Sequence, residues 1–129
     1  MTAHNNSYPR TEKLKSRKLI QQLFSEGKSV TVSPVKCFYL LQPAGLNECI
    51  QTGVGVSSRN FKKAVHRNRI KRLLREAYRL NNHSLHQALL QKQKQVAVFI
   101  LYTGKEMPTF QSLQKTVQAA LEKLKKVVD

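Results

Sequence analysis

The sequence predicts a single α/β domain, built from a small sheet and at least three helices, one of them strongly basic. Three observations predict it. Apolar runs of strand length stand at Val35–Leu41, residues 49–56 and Val96–Tyr102. Segments with apolar residues at helical spacing lie before, between and after these runs. The chain has 129 residues, 40% of them hydrophobic, which suits one core; two domains of half that length would bury too little surface.

Residues 1–10 hold Asn, Ser, His and Pro without periodicity and read as a loose N-terminal arm, leaving 11–129 as the single domain. A first helix is expected over residues 17–25. Ser16 can cap it, Ile20, Leu23 and Phe24 share one face, and Gly27 suits its stop. Val35–Leu41 is an apolar, aromatic strand ending at the turn cluster Pro43-Ala44-Gly45, with room for one further short strand before it. The next strand, residues 49–56, carries Gly53 and Gly55, where a neighbouring group can approach closely. A helix over residues 64–80 follows. Residues 81–95 are polar and Gln-rich, read as a helix extension or a mobile connection. Val96–Tyr102 is nearly continuous in apolar character, as for a strand covered on both faces. A last helix over residues 108–128 repeats Phe110, Leu113, Val117, Leu121, Leu124 and Val128, with Pro108 or Thr109 able to start it. The element order is αβββαβα, counting the short strand.

Charge narrows the function. There are 23 Lys and Arg against 7 Asp and Glu, a formal net charge of +16, which raises the local concentration of any polyanion. The N-terminus has no apolar signal core, and no run approaches the ~18 apolar residues of a membrane span. A cytosolic protein with no membrane partner is expected. Cys37 and Cys49 form no C-x-x-C spacing and read as buried free thiols; a disulfide between them is the other reading.

Arg59, Lys62, Lys63, Arg67, Arg69, Lys71, Arg72, Arg75 and Arg79 supply nine of the 23 cations within one short stretch. With Arg67 at zero and about 100° per residue, Lys71, Arg75, Asn68, Arg79 and Arg72 spread from about 40° to 140°. Leu80, Leu73, His66, Ala77, Ile70 and Leu74 take roughly 220° to 340°, with Arg69 and Glu76 on the border. Most charged helix faces are merely solvated. Here the strip holds one acid, and like charges at i, i+4 (Arg67, Lys71, Arg75, Arg79) cost ~0.2–0.5 kcal/mol per pair. Solubility alone does not account for that; a polyanionic partner does. Arginine forks make bidentate contacts with phosphate, and Asn68 adds a neutral donor and acceptor among them. Arg59, Lys62 and Lys63 place further cations at the helix N-terminus, where they oppose its dipole.

Catalytic constellations are missing. His4, His66, His83 and His86 form no metal or catalytic set, and the seven acids are scattered rather than gathered for two-metal chemistry. No nucleophile–base pair or glycine-rich phosphate loop is present, so no catalytic residue and no protein-borne metal site is assigned. A DNA-binding helix–turn–helix needs a short helix and tight turn where the strand-like Gly53–Val56 run stands, so DNA is not the expected partner. A structural RNA binder of ribosomal type is the alternative reading. Single-strand binding requires aromatics beside cations, and Lys36 and Lys18 lie close in sequence to Phe38 and Phe24. Phe38 and Tyr39 point to opposite faces of their strand, so only one of them can line a cleft.

The run AVHRNRIKRLLREAYR, residues 64–79, resembles the signature helix of the bacterial ribonuclease P protein family, with Arg67-Asn68-Arg69 as its central triplet. Gly53-Val54-Gly55-Val56-Ser57 resembles the strand leading into that helix. Lys13-Leu14-Lys15 with Phe24 and Gly27 is similar to the family's opening helix, and the likeness spans about residues 10 to 126. It implies a two-layer sandwich with a small mixed sheet, like domain 2 of ribosomal protein S5, and a left-handed crossover through the basic helix. It implies that Arg67, Asn68, Arg69, Lys71, Arg72 and Arg75 contact a catalytic RNA in a 1:1 complex. A separate cleft, at Ile20, Phe24 and Phe38, would hold the single-stranded 5′ leader of precursor tRNA. Mg2+ would be held mainly by the RNA, and the protein would be the non-catalytic subunit of an endoribonuclease. Two departures stand out. Ser58-Arg59 replaces the family's usual lysine pair, with one extra residue before Ala64, and Ile20 stands where an aromatic is expected.

Overall fold

The computed structural model describes residues 17–41 and 50–128. The expected N-terminal arm, Lys13-Leu14-Lys15, the Ser16 cap, the Pro43-Ala44-Gly45 turn and Cys49 lie outside them. The elements are α1 (Arg17–Glu26), β1 (Lys28–Val32), β2 (Val35–Leu41), β3 (Ile50–Val56), α2 (Ala64–Asn81), α3 (His83–Lys92), β4 (Val96–Tyr102) and α4 (Phe110–Val128). The four strands form one mixed sheet in the order β1-β2-β4-β3. β2 is antiparallel to β1 and β4, whereas β3 and β4 run parallel, joined by the crossover through α2 and α3.

The two faces of the sheet differ. Val35, Cys37 and Tyr39 of β2, with Val96, Val98, Ile100 and Tyr102 of β4, point into the main core against α2, α3 and α4. This is the expected sheet-on-helix sandwich. Ala97 and Phe99 of β4 point the other way, where α1 lies across β2 and β4 and inserts Leu23, fully buried. Cys37 is a free thiol, and burial pushes its pKa up to about 12, so it stays protonated and unreactive. Gly27 ends α1 by close approach. A Cβ there would collide with the carbonyl oxygen of Leu23 and stand 2.9 Å from that of Tyr39.

Residues 81–95 are neither an extension of α2 nor a connection without structure. They form a separate helix, α3, and the order becomes αβββααβα. Asn81 Nδ2 donates back to the Ala77 carbonyl at 2.7 Å, and Asn82 serves as C-cap of α2 and N-cap of α3. Side-chain bonding of this kind competes with helix continuation, which separates the two at the Asn81-Asn82 pair. Leu85, Ala88 and Leu89 then bury one face of α3 in the main core. α4 begins at Phe110, capped by Thr109, whose Oγ1 accepts from the Ser112 N–H at 3.2 Å.

Gln93 closes α3 in the left-handed region, φ 54° and ψ 41°, and its N–H reaches the Leu90 carbonyl at 3.2 Å. A Cβ disfavours that conformation, for which glycine is the usual residue. Gln93→Gly is expected to stabilise the fold by about 0.5–1 kcal/mol once the higher chain entropy of glycine is offset. Thermal unfolding should show a rise of a few degrees.

Candidate nucleic-acid interface

The solvent face of α2 is cationic. Asn68, Arg69, Arg72 and Arg75 are exposed, Lys71 is half-buried, and Arg59, Lys62 and Lys63 are exposed on the loop before the helix. Val65, His66, Asn68, Arg69, Arg72 and Leu73 line an open concavity on this face. No acidic residue stands in the first turn of α2. Its one acid, Glu76, pairs with Arg79 through both carboxylate oxygens, with Nε to Oε2 at 3.1 Å. That hydrogen bond holds the Glu76 carboxyl below its ordinary range and raises Arg79. Arg79 is thus partly neutralised, and the free cationic strip is centred on Arg69, Arg72 and Arg75.

The helix sits on the sheet turned by roughly 40° from the expected orientation. Its buried residues are Ile70, Leu74, Ala77 and Tyr78. Tyr78, which spacing puts near the cationic strip, is fully buried, and His66, expected on the apolar side, is exposed. A phenol ring buries far more apolar surface than an imidazole, so the orientation that hides Tyr78 prevails. The same rotation brings Arg67 inward. It is half-buried, and its Nη1 donates to the carbonyls of Phe61 at 2.8 Å and Lys62 at 2.7 Å.

On the opposite face of the sheet, three rings meet. Phe24 of α1 lies edge-on to Phe38 of β2, centroids 4.7 Å apart, and to Phe99 of β4 at 5.3 Å. Phe24 is 47% exposed. Lys36 Nζ stands 5.0 Å above the Phe38 ring, and Ile20 and Phe99 both pack against the small cluster of Leu23 and Ala97 under α1. Ile20, Phe24, Lys36 and Phe38 are therefore brought to one place, and Tyr39 points into the main core. Phe99 was not foreseen. It sits opposite Phe38 and Gly53 in register, and its ring covers Gly55, where a Cβ would come within 2.6 Å of Phe99 Cζ. The pairing of β4 between β2 and β3 is what reveals it; alternation along β4 alone shows only that Phe99 faces away from Val98 and Ile100.

Comparison with known proteins identifies the family. The Ribonuclease P family model matches residues 8–125. The chain belongs to the ribonuclease P protein family. Among relatives in this family, the ribonuclease P protein component of Porphyromonas gingivalis is 35% identical over 112 residues, covering 87% of this chain and 82% of the relative. That of Chlorobium phaeobacteroides is 30% identical, covering 95% and 90%. The RNase P proteins of Staphylococcus aureus and Thermotoga maritima share the fold, with TM-scores of 0.69 and 0.68 at 19% and 21% identity. The first alignment covers 92% of this chain and 98% of the other, and the second 87% and 96%. Among the described residues, no helix is long and apolar enough to cross a membrane.

Burial separates neighbours on α1. Leu23→Ala is expected to cost ~2–5 kcal/mol, because the site is fully enclosed. Phe24→Ala, with nearly half its ring in solvent, should cost well under the ~3–5 kcal/mol of a core phenylalanine. Urea unfolding of the two variants tests this partition; equal losses would place Phe24 in the core.

Proposed function

We propose that this protein is the RNA-binding subunit of a ribonuclease P. In this reading α2 binds the catalytic RNA, and the aromatic cleft under α1 binds the 5′ leader of precursor tRNA. The subunit thereby promotes endonucleolytic removal of the leader to give the mature tRNA 5′ end. The observation that carries the reading is the placement of two unlike surfaces on opposite faces of one sheet. One is a strip of exposed arginines suited to phosphate; the other is a cluster of half-exposed rings with a lysine beside it, suited to single-stranded bases.

The division of labour follows from chemistry. Exposed guanidinium groups screen the repulsion between two RNAs and release counterions, which lowers the divalent metal needed for association. Among the described residues no group of three or more His, Cys, Asp or Glu is gathered to hold a metal ion. In this reading the RNA holds the Mg2+ and cleaves the bond, and the protein joins it in a 1:1 complex in the cytoplasm. Phe99 supplies a third ring beside Phe24 and Phe38, so the cleft remains aromatic although Ile20 occupies the position where the family resemblance implies a ring. Leader bases stacked there gain apolar contact, and Lys36 meets their phosphates.

Reconstitution with a cognate RNase P RNA at low millimolar Mg2+ tests the function: leader release is expected from the mixture and none from nuclease-treated protein alone. Arg69, Arg72 and Arg75 replaced together by Gln should leave the melting transition intact and weaken RNA binding strongly. With about six phosphates engaged, log K against log [salt] should slope near −4 to −5, and losing three contacts should roughly halve it. An unchanged slope would move the RNA to another surface.

Phe38→Ala and Phe99→Ala should each weaken precursor tRNA binding to the assembled enzyme about tenfold, given ~1–3 kcal/mol per stacked base. Mature tRNA and catalytic RNA should bind as before. Parallel losses for every RNA, with a large fall in melting temperature, would make these rings core residues.

A further inference from the structure

Arg67 differs from Arg69, Arg72 and Arg75 on the same helix. Asn68, Arg69, Arg72 and Arg75 project into solvent, while Arg67 is half-buried and its Nη1 donates to the carbonyls of Phe61 and Lys62 at 2.8 and 2.7 Å. Both hydrogens of that nitrogen are thereby used. The two carbonyls belong to the residues just before Lys63, the N-cap, which makes no side-chain cap bond. A cation in the first turn opposes the helix dipole, and two carbonyl oxygens aimed at it offset that cost. Charge-assisted bonds of this length are roughly twice as strong as neutral ones.

The rest of the loop is held from the sheet side. Ser57 N–H donates to the Tyr102 carbonyl at 3.3 Å and Phe61 N–H to that of Ser57 at 3.2 Å. Asn60 Nδ2 donates to the carbonyls of Thr103 and Gly104, each at 3.2 Å. The buried Phe61 ring lies against Tyr102, centroids 6.1 Å apart. These anchors stop at Phe61. Between it and the helix stand Lys62 and Lys63, both exposed, on backbone tethered by Arg67.

We infer that Arg67 is a positioning residue: it holds the backbone of residues 61–63 in the path that presents the Lys62 and Lys63 cations beside the α2 arginines. Its effect on RNA affinity passes through those two lysines rather than through a phosphate bound by Arg67 itself. This rests on the reading of α2 as the RNA surface.

Binding to the cognate RNase P RNA would be measured across a salt series for the wild type, Arg67→Gln, the pair Lys62→Gln with Lys63→Gln, and all three together. Arg67→Gln alone should weaken binding five- to tenfold, by on the order of the loss seen for coupled neighbours. In the background lacking both lysines, the same substitution should change affinity less than about twofold and leave the salt slope unaltered. A persisting five- to tenfold loss there, with the slope flattened by about a further 0.7–0.9, would make Arg67 a direct phosphate contact and overturn the inference. Amide exchange in the free protein gives a readout that needs no RNA. The His66 and Arg67 amides, which donate to the Lys63 carbonyl at 3.2 Å, should lose about tenfold in protection in Arg67→Gln, with β4 amides unchanged. Unaltered protection at His66 and Arg67 would also overturn it. Wild-type protein whose RNA binding ignores salt would refute α2 as the RNA surface, while amide exchange would still decide whether Arg67 holds the loop.

Discussion

Strand β4 has to satisfy two cores at once, and the positions of both the basic helix and the aromatic cluster depend on it. Val96, Val98, Ile100 and Tyr102 fill the core shared with α2, α3 and α4, while Ala97 and Phe99 face α1 on the other side. Strand periodicity is two, so a slip by one residue would exchange these sets and drive Phe99 into the main core. Pairing on both edges prevents it, since Phe99 lies opposite Phe38 on one side and Gly53 on the other. The rings of the cleft and the seat of the basic helix are thereby set by one register. A single sheet thickness keeps the basic helix and the aromatic cluster apart.

The net charge of +16 is not spread uniformly over function. Some cations are engaged within the fold. Lys94 Nζ caps the Val128 carbonyl at 3.0 Å, Lys123 Nζ reaches the Thr31 carbonyl at 3.1 Å, and Arg79 pairs with Glu76. The exposed cations of α2 and its approach loop stand close together, repel one another and oppose compaction. A core of closely packed aliphatic side chains has to outweigh that repulsion in the free protein. A bound polyanion would remove it and add its own binding free energy to the stability of the folded state.

Much of the architecture was legible in the sequence, for identifiable reasons. β2 and β4 are short apolar runs bounded by turn residues or polar segments, and their limits in the fold match the expected ones residue for residue. α1 and α4 carry apolar stripes at helical spacing. For residues 81–95 the sequence leaves a helix extension or a mobile connection open, because polar residues outnumber apolar ones there; Leu85, Ala88 and Leu89 at i, i+3, i+4 are the signal for a separate α3. The rotation of α2 could not be read from a wheel centred on its charges, because the burial of Tyr78 depends on what α4 and the sheet offer it. The resemblance alone implies a cleft at Ile20, Phe24 and Phe38, and the structure brings these three and Lys36 to one place. Phe99 required the strand pairing, and the bonds from Arg67 to carbonyls five and six residues earlier required the loop's path.

The strand order has a consequence for synthesis on the ribosome. β2 and β3 precede β4 in the chain but are not neighbours in the sheet, because β4 lies between them. A nascent chain that has emerged through α2 therefore holds two strands flanking a slot whose occupant is still being made. Their facing edges carry unpaired N–H and C=O groups next to Cys37, Tyr39, Ile50 and Val54, the kind of edge that pairs with the wrong strand. Only when Val96–Tyr102 has left the exit tunnel can the slot close, the crossover dock, and α4 cover the core. Folding of this domain is thus a late event in translation, and a chain that stalls before β4 keeps only the β1–β2 hairpin, with β3 unpaired.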